Sequence, residues 1–408
     1  MKLRRCAVLY LEPREELDID WAALFAGTST LAASTRWLAL APHLDREIEV
    51  DAADLAALGA VGASVWTERD TVLRHHDAAV VDRLLGHGLL LAQAQQEQEQ
   101  EQASQQEQSG AGPLDILRAR DETLRAQHWR PLAALAHTFS RWRDVRSDTG
   151  MEAPSFDELL ARHGNPPPPV QQVTGSAPAV PLPAAEPGVL DAVLLRRYTG
   201  RNYDTGASLP LAVAARLLQR TFGAQELRHV GPHANVLKKT SPSGGGLHPV
   251  EAFVLVQRVA GLAPGLYHYH PLDNTLLPLR AATPEQAAAL AMQMVADQHW
   301  LADAALQVVM VGRVERSFWK YRNHQKAYRA MSLDAGHLSQ TFYLLAAEAG
   351  LPAFITAAIN DIDIENMLGL DHLRHAVIAV CGCGVATTGA REMVELRYGE
   401  TGLGQASA

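Results

Sequence analysis

The sequence predicts an α+β protein whose largest part carries a central, mainly antiparallel sheet with flanking helices. Two observations lead there. From residue 189 onward, stretches with helical periodicity alternate with short apolar or alternating runs of strand length. Before that, two segments unable to build a core divide the chain: a Gln/Glu-rich stretch, 93–112, and a Pro-rich one, 166–188. The 408 residues thus fall into parts 1–92, 113–165 and 189–397.

Composition removes several function classes. A net charge of −9 argues against general nucleic-acid binding. Three cysteines (Cys6, Cys381 and Cys383) cannot form a disulfide framework and point to a reducing compartment. The basic start Met1–Arg5 precedes an apolar run that ends at Glu12, too soon for a signal peptide. No apolar run is long enough to span a membrane, so a cytoplasmic protein is expected.

In the first part, Cys6–Leu11, Trp37–Ala41 and Glu47–Val50 read as strands, and Ala52–Leu58 as a helix capped by Asp51. Val65–Trp66 and Thr71–Leu73 suggest a small hairpin. Ala78–Leu85 is an amphipathic helix that stops at Gly86-His87-Gly88, with Leu89–Leu91 after it. Short strands, short helices and this final step suggest a winged-helix-like domain. A packing or dimerisation domain explains the same pattern. The linker 93–112 suits either a tether or a helical extension, because Gln, Glu and Ala favour helix. In the second part, Asp121–Trp142 has apolar residues at helical spacing, and its Trp and His residues read as core. Four prolines, 166–169, exclude helix and favour an extended tether.

In the third part, Val189–Leu195, Leu211–Phe222, Glu285–Asp297 and Ser332–Gly350 are expected helices. Ala252–Val256, Ala304–Val311 and His375–Val380 are expected strands. Leu266–His270 can pair with Leu276–Leu279 across Asp273-Asn274. His268 and His270 have metal-ligand spacing. Strand alternation accounts for them, no Cys or carboxylate partner is evident, and no metal is expected.

Three segments carry candidate chemistry. In Arg197-Tyr198-Thr199-Gly200-Arg201-Asn202-Tyr203, two guanidiniums and a hydroxyl can converge on one phosphate; a basic surface loop is the plainer alternative. Thr240–Glu251, with Pro242-Ser243-Gly244-Gly245-Gly246-Leu247-His248-Pro249, is a glycine-dense turn before a strand. Its bare N–H groups suit an anion or a polar ring edge. The third is Phe318-Trp319-Lys320-Tyr321, for which an exposed lysine and a packing tyrosine at the edge of a helix are the plainer alternative. Cys381-Gly382-Cys383-Gly384 reads as a tight turn of small residues.

With these motifs in this order, Leu195–Gly384 resembles the nitroreductase superfamily of flavin enzymes. Within it, the segment is most similar to the SagB-type, McbC-like peptide-maturation dehydrogenases, which oxidise azolines to azoles. Gly261–Tyr269 and Asp334-Ala335-Gly336-His337, the latter as a helix start, match the family as well. The resemblance implies an FMN-dependent nitroreductase-like fold and a homodimer enclosing the flavin. Arg197, or its neighbour Arg196, would contact phosphate with Thr199 and Arg201. Pro242, Ser243, Gly244 and Gly245 would lie against the ring and ribityl chain, with His248 near the ring edge. Gly382 and Gly384 would lie near the phosphate. Lys320 and Tyr321 would be catalytic: burial would bring Lys320 into range for proton transfer, or Tyr321 would move the proton while Lys320 holds it anionic. The first part resembles, in pattern, the small domains that bind leader peptides. The implied function is oxidation of a ribosomally made precursor peptide. The alternatives are an NAD(P)H-dependent nitro- or quinone-type reductase and a non-catalytic peptide-binding scaffold.

Overall fold

The computed structural model describes residues 1–28, 31–93, 112–147, 156–171, 173–174, 176, 178–232 and 234–398. The Gln/Glu-rich stretch therefore lies, apart from its two end residues, outside the described residues. So do 148–155 of the second part. The chain forms two compact units. One comprises Met1–Arg141, Arg313–Arg329 and Leu370–Ala376; the other comprises Trp142–Gly312, Ala330–Gly369 and Val377–Ala408.

In the first unit, the strand Lys2–Arg5 lies between Thr67–Glu68 and Leu90–Ala92. A second three-stranded sheet runs Tyr10–Ile19, Leu31–Ala41, Arg46–Val50, all antiparallel. Asp51 caps the helix Ala52–Ala60 in a reciprocal box with Asp54. The helix Ala78–His87 ends at Gly88, whose φ of +80° closes the last turn. Leu3, Ala57, Leu58, Val81, Leu84 and Leu89 form the core. The expected hairpin at 65–73 is instead a two-residue strand followed by the helix Arg69–Leu73.

The expected helix Asp121–Trp142 is broken. His128 takes φ +57° and Pro131 restarts the chain, which gives Pro113–Ala126 and Pro131–Phe139. Trp142 falls beyond both and is exposed. The first helix is fastened by its fully buried Asp121, which accepts Ala7 N–H at 2.6 Å, Arg4 Nη2 at 3.1 Å and Arg125 Nε at 2.8 Å.

The second unit holds a six-stranded sheet in the order Thr275–Ala281, Gly265–His270, Val250–Val256, Leu306–Arg313, His375–Cys383, Ala353–Thr356. Its first four strands pair antiparallel, as do its last two. The 265–281 hairpin turns at Asn274, φ +52°, as the sequence predicts. The long helix Ala327–Glu348 starts earlier than predicted, so Asp334 stands within it rather than at its start. Leu217, Phe222, Val254, Val308, Met310 and Phe342 belong to the core. The described residues of 166–188 form no helix or strand and are exposed. Among the described residues, no helix is long and apolar enough to cross a membrane.

Candidate functional site

The Gly-rich loop is held by a buried carboxylate. Asp334, 4% exposed, accepts the Ser243 hydroxyl at 2.5 Å and the Gly244 N–H at 2.9 Å. Ser243 Oγ in turn accepts the His248 N–H at 2.9 Å. Gly245 and Gly246 take φ +63° and +69°, in the left-handed region open to glycine, and His248 takes +47°. A Cβ at Gly246 would meet open space. Pro242 is exposed, and Ser243, Gly244 and His248 are half-buried.

The Arg197–Tyr203 segment lies between a sheet edge and the C-terminal segment. Gly200 N–H donates to Ala353 O at 2.8 Å. Thr199 Oγ1 and the Tyr343 hydroxyl are 3.1 Å apart, and the Arg197 guanidinium lies 5.3 Å from the centroid of the same tyrosine ring. Arg196 points elsewhere: it is exposed, and its Nε donates to Ala192 O in its own helix at 2.9 Å. On the other flank, Glu395 accepts the N–H groups of Arg201 at 2.7 Å and Asn202 at 3.1 Å. Burial pushes the Glu395 carboxyl up, but its bonds from Arg201, Arg397 and Asn202 outweigh this and hold it below the usual range.

Two expectations are corrected. Cys381–Cys383 is not a turn: it is the end of a strand, with Gly382 opposite Phe354 and Cys383 opposite Ala353. A Cβ on Gly382 would lie 2.5 Å from Phe354 Cε1 and 2.7 Å from Leu306 O. One on Gly384 would lie 2.9 Å from Ala305 N and from Tyr203 Cδ1. Sheet packing therefore accounts for both glycines. Burial pushes the Cys383 thiol up to about 12 and raises that of Cys381 as well, so neither is an activated thiol. The second correction concerns His268, which does have a carboxylate partner, Glu251 at 2.9 Å. Among the described residues no group of three His, Cys, Asp or Glu side chains could hold a metal.

Lys320 and Tyr321 end the helix Val314–Tyr321, which belongs to the first unit. Its buried face is Val314, Ser317 and Phe318, with Phe318 edge-on to Trp129 at 5.0 Å. Trp129 stacks on His137 at 5.2 Å, and His137 Nδ1 lies 3.2 Å from the Tyr328 hydroxyl. Lys320 is exposed, the alternative the sequence left open for it, and its Nζ lies 5.8 Å from the Tyr321 ring centroid.

Asp334, Tyr343 and Glu395 were not among the predicted site residues. Asp334 stood inside a matched motif; Glu395 shows only as the buried member of the exposed run Val394, Leu396, Tyr398. Lys239, just before the Gly-rich loop, is 5% exposed, and burial lowers it to about 8 against the pull of Glu251.

Residues 194–385 match the model of the Nitroreductase family. A protein of Methanocaldococcus jannaschii named as a nitroreductase, MJ1384, is 27% identical over 194 residues, covering 48% of this chain and 91% of its own. The trifolitoxin-processing protein TfxB of Rhizobium leguminosarum bv. trifolii is 31% identical over 136 residues, 33% of this chain and 36% of its own. The microcin B17-processing protein McbC of Escherichia coli is 25% identical over 189 residues, 45% and 65%. The chain thus spans less than two thirds of either peptide-processing relative. A solved chain of the E. coli microcin synthetase McbBCD complex with truncated pro-MccB17 gives a TM-score of 0.49 at 20% identity, covering 65% of this chain and 97% of that one. Over residues 194–385, just under half of its length, this chain is similar to the nitroreductase family.

Proposed function

We propose that this chain is an FMN-dependent oxidoreductase that dehydrogenates a ribosomally made precursor peptide, for example an azoline to an azole. The observation that carries the flavin part is Arg197. Its guanidinium is half-buried, stacks near Tyr343, and has no hydrogen-bond partner among the described residues. A planar donor fork in that state suits a phosphate, with Thr199 beside it. The open space beside Gly246 suits the close approach of a flat ring. The residues therefore fit FMN. Arg197, Thr199 and Arg201 would hold its phosphate, and Pro242, Ser243, Gly244, Gly245 and His248 its ring and ribityl chain.

The chemistry FMN supplies when bound is acceptance of a hydride, the two electrons lost by the peptide ring. The chain's own part is to bind, orient and move a proton. Tyr321 would take the carbon-bound proton and Lys320 would stabilise its anion, or Lys320 would itself be the base. Asp334 and Glu395 would keep the two cofactor loops in shape. Residues 1–92 would dock the peptide's leader, and a homodimer would enclose the flavin. The peptide substrate is supported by similarity to the trifolitoxin- and microcin-processing proteins. The coverage of the Methanocaldococcus nitroreductase supports the second reading, a nicotinamide-dependent reductase.

An absorbance spectrum of the purified full chain, with the released cofactor identified by mass, tests the flavin part. FMN near one per subunit is expected. A colourless protein that cannot be reconstituted with FMN sinks it. Reduction of the bound flavin by NADH or NADPH, with no oxidation of any azoline-bearing peptide, would select the second reading.

A further inference from the structure

We infer that Glu395 is a positioning residue: it sets the backbone of the Arg197–Tyr203 segment and thereby governs how tightly the chain holds the phosphate end of a flavin nucleotide. This rests on the flavin reading above.

The Glu395 side chain is 1% exposed, though its neighbours Val394 and Leu396 are solvent-facing. Burying a carboxylate is unfavourable unless its lone pairs are met. Here one oxygen receives two consecutive backbone N–H groups, from Arg201 and Asn202, and the other receives Arg397 Nη2 at 2.8 Å. Two adjacent amides converging on one oxygen fix the peptide plane between them. The Arg201 guanidinium leaves the loop on this same flank, where its Nη1 donates to Val394 O at 3.2 Å. Asn202 reinforces that plane by donating to Met393 O at 2.7 Å and accepting from Met393 N–H at 2.9 Å. Asp204 N–H adds a bond to Val385 O at 2.8 Å. On the opposite flank the Gly200 N–H is tied to Ala353, so the segment is held from both sides. A carboxylate beside an anion site would oppose the anion. Arg397 offsets this charge and also donates to the Tyr198 hydroxyl at 3.0 Å, with its guanidinium 4.0 Å from that ring's centroid. The role is therefore one of shape, and it reaches the cofactor through backbone.

The test is titration of FMN and of riboflavin, which lacks the phosphate, into the full chain freed of flavin by dialysis. Wild type is expected to prefer FMN. Glu395→Ala should weaken FMN by roughly tenfold or more and riboflavin by less than about threefold, the loss expected of hydrogen bonds to a charged group. Equal loss of both ligands, or no change in either, overturns the inference. Should Glu395→Ala not fold, Met393→Pro removes the N–H that Asn202 accepts and unhooks the same segment. It must then give the same split, and an unchanged FMN-to-riboflavin ratio overturns the inference. A wild-type chain that binds the two flavins equally would instead sink the phosphate reading itself.

Discussion

Ser243 and Asp334, 91 positions apart in the chain, are joined by a hydrogen bond of 2.5 Å, and the same carboxylate takes the Gly244 N–H at 2.9 Å. The shape of the Gly-rich loop is thus imposed by a buried charge on the helix Ala327–Glu348. Replacing Asp334 by Ala leaves a hydroxyl and an amide without their acceptor, a cost of about 1–3 kcal/mol. Asp334→Ala should lower the melting temperature and release FMN; Asp334→Asn, which keeps one acceptor oxygen, should do so less. Calorimetry and flavin fluorescence check this, and full FMN retention by a folded Asp334→Ala chain would refute it.

Lys320 and Tyr321 should separate chemistry from cofactor binding. Lys320→Ala or Tyr321→Phe is expected to cut peptide oxidation by roughly 10²- to 10⁴-fold, the usual weight of a positioned proton-transfer group, while flavin occupancy stays as in wild type. Loss of hydrogen followed by mass spectrometry, with flavin content read on the same samples, makes the comparison. Flavin lost in step with activity would make the pair structural.

His137 and His372 should make the first unit acid-sensitive. Burial, reinforced by the nearby Arg141 charge, lowers His137 to about 3 and His372 to about 2, against an ordinary 6.5. The unfolded chain then binds protons below about pH 6.5 that the folded chain refuses. Stability is full above that pH and declines toward pH 3, by about 1.4 kcal/mol per pH unit for each histidine. His137→Gln should be less stable at pH 7, because it disturbs the contacts to Tyr328 and the His372 carbonyl, yet show a shallower decline on acidification. Denaturant midpoints between pH 7 and pH 4 decide it; an unchanged slope would contradict the assignment.

Local signals were legible in the sequence, and long-range ones were not. The Asp51 cap and the 265–281 hairpin follow from residues adjacent in the chain, and both stand in the structure. The helix break at 127–130 was missed because an apolar stripe can continue in register across a left-handed histidine. Cys381–Cys383 looked like a turn because glycine signals both loops and crowding. Only Phe354, packed against Gly382, shows that it is crowding. Asp334 and Glu395 bind backbone far away in sequence, and no local pattern marks a carboxylate for that task.

Two glycines with opposite surroundings give the last prediction. Gly382 lies inside the sheet, where a methyl group would sit 2.5 Å from Phe354 Cε1 and 2.7 Å from Leu306 O. The aromatic ring can shift, but the backbone oxygen belongs to a central strand and cannot do so cheaply. Gly382→Ala should therefore cost about 1–3 kcal/mol by overpacking. Gly336 stands in the helix Ala327–Glu348, exposed, with nothing within 4 Å of where its Cβ would be. In the isolated chain Gly336→Ala should stabilise by about 0.5–1 kcal/mol, because alanine restricts the unfolded backbone and favours helix. Thermal unfolding of the two variants beside wild type is the measurement. A Gly336→Ala chain that is destabilised would mean that the site is covered in solution, and the same variant's oligomeric state would then show whether a second copy covers it.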